Sequence, residues 1–73
     1  MSEHKYISRG APVTVAEAQA LRAECERDGS IAVARRVGLS EMGIARVIAR
    51  LPTSRGTRAL VAAYLARPDR NAA

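Results

Sequence analysis

Aromatic residues, cysteine and histidine are nearly missing from this chain. Its 73 residues include Tyr6 and Tyr64 but no Phe and no Trp. A core must therefore be assembled from Val, Ile, Leu and Ala, and a surface that stacks single-stranded bases on aromatic rings has almost nothing to be built from. One cysteine, Cys25, excludes an intrachain disulfide. It reads as a reduced thiol packed as a small hydrophobe. The one histidine, His4, sits in a polar stretch near the start. No Cys/His cluster has zinc-ligand spacing, no phosphate-cradling glycine loop is followed by Lys-Ser/Thr, and no set of acid–base or nucleophilic groups suggests catalysis. No apolar run approaches the roughly 20 residues that span a bilayer, and MSEHKYISRG has no secretory pattern. These absences point to a cytoplasmic protein that is not an enzyme, uses no cofactor or metal, has no membrane role and carries no domain for a small-molecule effector.

The length allows one domain. Such a short chain buries a small core, which a dimer would help to stabilise. Abundant Ala with few β-branched runs favours an all-α fold. The net charge of +5 is unevenly spread. Residues 1–29 carry four cations and five anions, whereas residues 30–73 carry eight arginines and two anions. A polyanion partner follows from the second half.

Punctuation along the chain predicts four helices. Residues 1–12 read as a flexible arm ending in Gly10-Ala11-Pro12, with Tyr6 and Ile7 free to pack or pair and Lys5 and Arg9 placed to reach a minor groove. Residues 13–66 form the domain. The first helix opens at Thr14, where Thr14 and Glu17 make a capping box. It carries Val15, Ala18, Leu21 and Cys25 on its core face, leaves Glu24, Glu26 and Asp28 solvated, and stops at Gly29. Ser30 caps a second helix over residues 31–37. Gly38 makes the turn, and Ser40 caps a third helix over 41–50, broken by Leu51-Pro52. Thr57 caps a fourth helix to residue 66, with Leu60, Val61, Tyr64 and Leu65 inward. Residues 67–73 read as a disordered tail.

On a helical wheel the third helix has two faces. Ile44, Val47, Ile48 and Leu51 gather on one side; Met42, Ala45, Arg46, Ala49 and Arg50 gather on the other. The second face suits a DNA major groove. Small residues let the axis approach, and Arg46 matches the O6/N7 acceptors of guanine. Ser40, Glu41, Met42, Ala45 and Arg46 are the candidate base contacts; Glu41 also suits the helix N-terminus simply as an acid. Arg35, Arg36, Arg50, Arg55 and Arg58 are the candidate phosphate contacts. Tyr64 and Leu65 are candidates for a dimer interface, with core packing the competing role.

Residues 30–51 resemble the helix-turn-helix of the Cro/phage-repressor-like family. The marks are Ala34, Gly38 flanked by Val37 and Leu39, then Ile44 and Val47, followed by a proline loop and T-x-x-L-V-x-x-Y-L. The chain departs from the pattern at Ile31, where members often hold a phosphate with a polar residue. The resemblance implies a small transcriptional repressor or autoregulator that reads a palindromic operator in double-stranded DNA as a homodimer. The alternative is a small helical adaptor that binds another protein through its arginine-rich face.

Overall fold

The computed structural model describes residues 10–68. They form an all-α domain of four helices: α1 (Val15–Asp28), α2 (Ser30–Val37), α3 (Glu41–Ile48) and α4 (Arg55–Leu65). There is no strand among the described residues; the one extended pairing is an isolated antiparallel bridge between Ala11 and Thr53. Helix α1 packs on all three others, and α2 packs on α1, α3 and α4. Helices α3 and α4 do not pack on each other, so a cleft stays open between them. The shared core is aliphatic: Leu21, Val33, Ile44, Val47 and Val61 are fully buried, with Val13, Ala18, Ala34, Val37 and Tyr64 around them. Ala34 sits where α2 meets its neighbours, as its small size requires.

The start of α1 follows the expected chemistry. Thr14 Oγ1 accepts from the Glu17 N–H at 3.1 Å, and Glu17 Oε1 accepts from the Thr14 N–H at 3.0 Å. Val15, expected on the core face, is instead 51% exposed. Val13 takes that role from the residue before the cap, in the same buried cluster as Ala18. This is the arrangement of a hydrophobic staple, which leaves the first helical residue facing water.

Several boundaries shift for local reasons. Only Gly29 separates α1 from α2, so it ends one helix and opens the next, at φ 94° and ψ 146°. Ser30 is therefore the first residue of α2 rather than its cap. Gly38 does take the left-handed conformation, φ 96° and ψ 29°, and both its N–H and that of Leu39 donate to the Ala34 carbonyl. Ser40 caps α3 as expected, accepting from the Gly43 N–H at 2.9 Å.

Helix α3 stops at Ile48, two residues early. Arg50 has φ 58°, and the Arg50 and Leu51 N–H groups fold back onto the carbonyls of Val47 and Arg46. That double closure is a Schellman stop, with arginine where glycine is usual, and it places Leu51 outside the core at 42% exposure. Helix α4 starts earlier than expected. Ser54, not Thr57, is the cap, because its Oγ accepts from the Thr57 N–H at 3.1 Å. Its buried positions are Val61 and Tyr64, with Leu65 half-buried against the core. Leu60 lies a 100° step from Val61 and points outward.

The stretch expected to close the flexible arm is tied down at residues 10–12. Ala11 exchanges backbone hydrogen bonds with Thr53, and the Thr53 hydroxyl donates to the Ala11 carbonyl. Gly10 is required there: a Cβ would lie 2.4 Å from the Thr53 carbonyl oxygen. Residues 1–9, with His4, Lys5, Tyr6, Ile7 and Arg9, and residues 69–73, with Arg70, lie outside the described residues.

Candidate nucleic-acid interface

Placing Ile44 and Val47 in the core turns the opposite side of α3 outward. Glu41, Met42, Ala45, Arg46 and Ala49 are all exposed, Met42 at 72%. The five candidate base contacts thus lie at the cap and on the outer side of α3, but not in one chemical state. The Ser40 oxygen is engaged in its cap. Glu41 Oε2 accepts from the Ser30 hydroxyl at 2.8 Å, which links the first residues of α2 and α3. Met42 and Ala45 present apolar surface. Arg46 lines a concavity of about 210 Å³ with Gly43, Pro52, Thr53, Ser54 and Thr57, so it faces the cleft between α3 and the start of α4.

The five candidate phosphate contacts divide into two groups. Arg35 on α2 and Arg55 at the start of α4 are exposed and, like Arg46, make no hydrogen bond or ion pair among the described residues. The other three are committed within the fold. Arg50 Nε donates to the Val13 carbonyl at 2.9 Å. Arg58 Nη1 donates to the carbonyls of Thr53 and Ala11, clamping the extended segment to the α3–α4 loop. Arg36 Nη1 lies 2.8 Å from Asp28 Oδ2 and 3.6 Å from Glu24 Oε1.

That last contact belongs to a polar cluster around the buried Glu24, which contradicts one expectation and gives Tyr64 the inward, core-packing role of the two expected for it. Glu24, expected on a solvated face, is only 4% exposed. Tyr64, a candidate for a dimer interface, is 3% exposed and donates its hydroxyl to Glu24 Oε1 at 2.5 Å. Its ring fills the core, and almost none of it is left for a partner. Burial, with the Glu24 hydrogen bond second, raises the Tyr64 pKa. Hydrogen bonds from Arg27 and Arg36 lower the Asp28 pKa to about 2. Spacing held a signal for Glu24, which lies one turn after Leu21 on the same side of α1. The partners that make a carboxylate tolerable there, Tyr64 and Arg36, come from two other helices, which spacing along α1 does not reveal.

A second concavity runs between α1 and α3. It measures about 440 Å³, and its walls include Cys25, Ile44, Ala45, Ile48 and Ala49. Cys25 is half-buried, as a packing thiol should be, and desolvation followed by the neighbouring Glu24 and Glu26 raises its pKa. No helix among the described residues is long and apolar enough to cross a membrane. Comparison with family models, curated proteins and solved structures gave no match for the chain.

Proposed function

We propose that this domain binds double-stranded DNA by laying the outer face of α3 in the major groove, and that it acts as a small transcriptional repressor or autoregulator. The observation that carries the reading is the state of the arginines. Arg35, Arg46 and Arg55 stand exposed without a partner among the described residues, while Arg36, Arg50 and Arg58 hold the fold together. Leaving cations unpaired around a helix face disfavours covering that face with another basic domain and favours a polyanion. Arg46 takes a base edge, and Arg35 and Arg55 take phosphates. Two domains joined as a homodimer then read half-sites about 34 Å apart. The outward Leu60 offers apolar surface on α4 for that contact, beside the half-buried Leu65.

The test is retardation of a random-sequence duplex pool by the full chain at two salt concentrations. Binding that falls steeply with salt, with a log–log slope near −0.9 for each phosphate neutralised, supports the reading. No retention at low salt overturns it. A second reading, an adaptor for another protein, is favoured by the apolar trough between α1 and α3. It gains ground if DNA is not retained.

A further inference from the structure

We propose that Met42, flanked by Ala45 and Ala49, reads the 5-methyl group of a thymine, with Arg46 taking a guanine within about two base pairs of it. This rests on the DNA-binding reading and adds the class of site that α3 recognises.

The argument starts from what is exposed. Met42 is the most exposed large apolar residue among the described residues, at 72%. Ala45 and Ala49 are exposed beside it. At 100° per residue, Met42, Ala45 and Ala49 fall within about 60° of one another, and Arg46 lies about 40° to the other side of Met42. This face therefore offers methyl and thioether surface beside Arg46, which makes no hydrogen bond or ion pair among the described residues. A face that reads bases only by hydrogen bonds would carry amides or hydroxyls here. Thymine is the base that presents an apolar group in the major groove, and apolar side chains meet it there. Two alanines keep the backbone close enough for an unbranched methionine to reach a methyl group.

Charge decides between DNA and a protein as the cover for this apolar face. Residues 30–68 contain seven arginines and one carboxylate, Glu41. The Glu41 side chain is itself held by Ser30. Spacing then limits the site. Met42 and Arg46 are one turn apart, about 6 Å along the axis at ~1.5 Å per residue, against ~3.4 Å per base pair.

The test uses the full chain and the duplex that it selects from a random pool. Each thymine in that duplex is replaced in turn by uracil, which removes only the 5-methyl group. We expect one position per half-site to weaken binding about fourfold, the worth of one buried methyl-sized group. Met42→Ala, at an exposed position and checked for native helix content, should reduce that discrimination to under twofold and leave the salt slope unchanged. The selected site should hold a guanine within two base pairs of the sensitive thymine, and Arg46→Ala should relax that guanine. The inference is overturned, with DNA binding intact, if every uracil replacement is neutral, if Met42→Ala keeps the discrimination, or if selection returns no preferred sequence. It is also overturned if sedimentation finds a self-associated form that Met42→Lys dissolves, since the face is then a protein contact. If no duplex is retained at low salt, the DNA-binding reading fails and takes this inference with it.

Discussion

The Tyr64 hydroxyl donates to Glu24 Oε1 at 2.5 Å, and both side chains are almost wholly buried. This one contact joins the first helix to the last. Arg36 brings the second helix to the same carboxylate, at 3.6 Å. A buried carboxylate is costly unless its oxygens are satisfied. Tyr64→Phe keeps the ring and removes the donor, so it should destabilise the domain by about 1–3 kcal/mol. Glu24→Gln keeps an acceptor for the tyrosine and should cost less than Glu24→Ala. Urea denaturation of the three variants, read by helix content, checks the order.

Stability should fall at both ends of the pH scale, for different residues. The folded pKa of Asp28, about 2, lies below the usual value near 4. Its contribution is therefore fully present above pH ~4 and lost as pH drops towards 2. Tyr64 is shifted upward from the ordinary value near 10. Its contribution is present below pH ~10 and lost as pH rises beyond it. Denaturation midpoints measured from pH 2 to 11 should show both flanks. Asp28→Asn should flatten the acid flank, and Tyr64→Phe the alkaline one.

Arg50 combines a strained backbone with a useful side chain. Its φ of 58° favours glycine, but its Nε holds the Val13 carbonyl. Arg50→Ala loses the hydrogen bond and keeps the strain, and should destabilise by about 1–2 kcal/mol. Arg50→Gly loses the same bond and relieves the strain, and should come out close to the parent. Thermal melting of the two variants separates these effects.

The arginines should sort into two classes in a paired assay of stability and DNA affinity. Arg35→Ala and Arg55→Ala should leave the melting temperature nearly unchanged and lower the salt slope by about one each. Arg36→Ala and Arg58→Ala should lower the melting temperature, because they break ties to Asp28 and to the Ala11–Thr53 bridge. A variant of the first pair that melts early, or one of the second that melts like the parent, would break the division.

Much of the helical plan was legible residue by residue. Thr14 and Glu17 announce the first helix, Gly38 and Ser40 the turn and the third. The apolar spacing of Ile44 and Val47 fixes which side of α3 is outside, because capping and periodicity act within a few residues. Three departures are local: Val15 yields its core position to Val13, Ser54 takes the cap expected of Thr57, and α3 ends early where Arg50 takes a φ of 58°. The distant one is Glu24, whose partners Tyr64 and Arg36 come from two other helices.

By itself, then, the sequence determined four short helices, an aliphatic core, a basic second half and an outward face on α3 bearing Met42, Ala45 and Arg46. Those follow from local propensity, capping and charge count. Only the tertiary structure decided which arginines are engaged among the described residues, since Arg36, Arg50 and Arg58 find their partners 5 to 47 residues away along the chain. It also turned Glu24 from a surface acid into the buried partner of Tyr64. Hydrogen bonds across such separations depend on how helices pack, and no spacing along one helix encodes them.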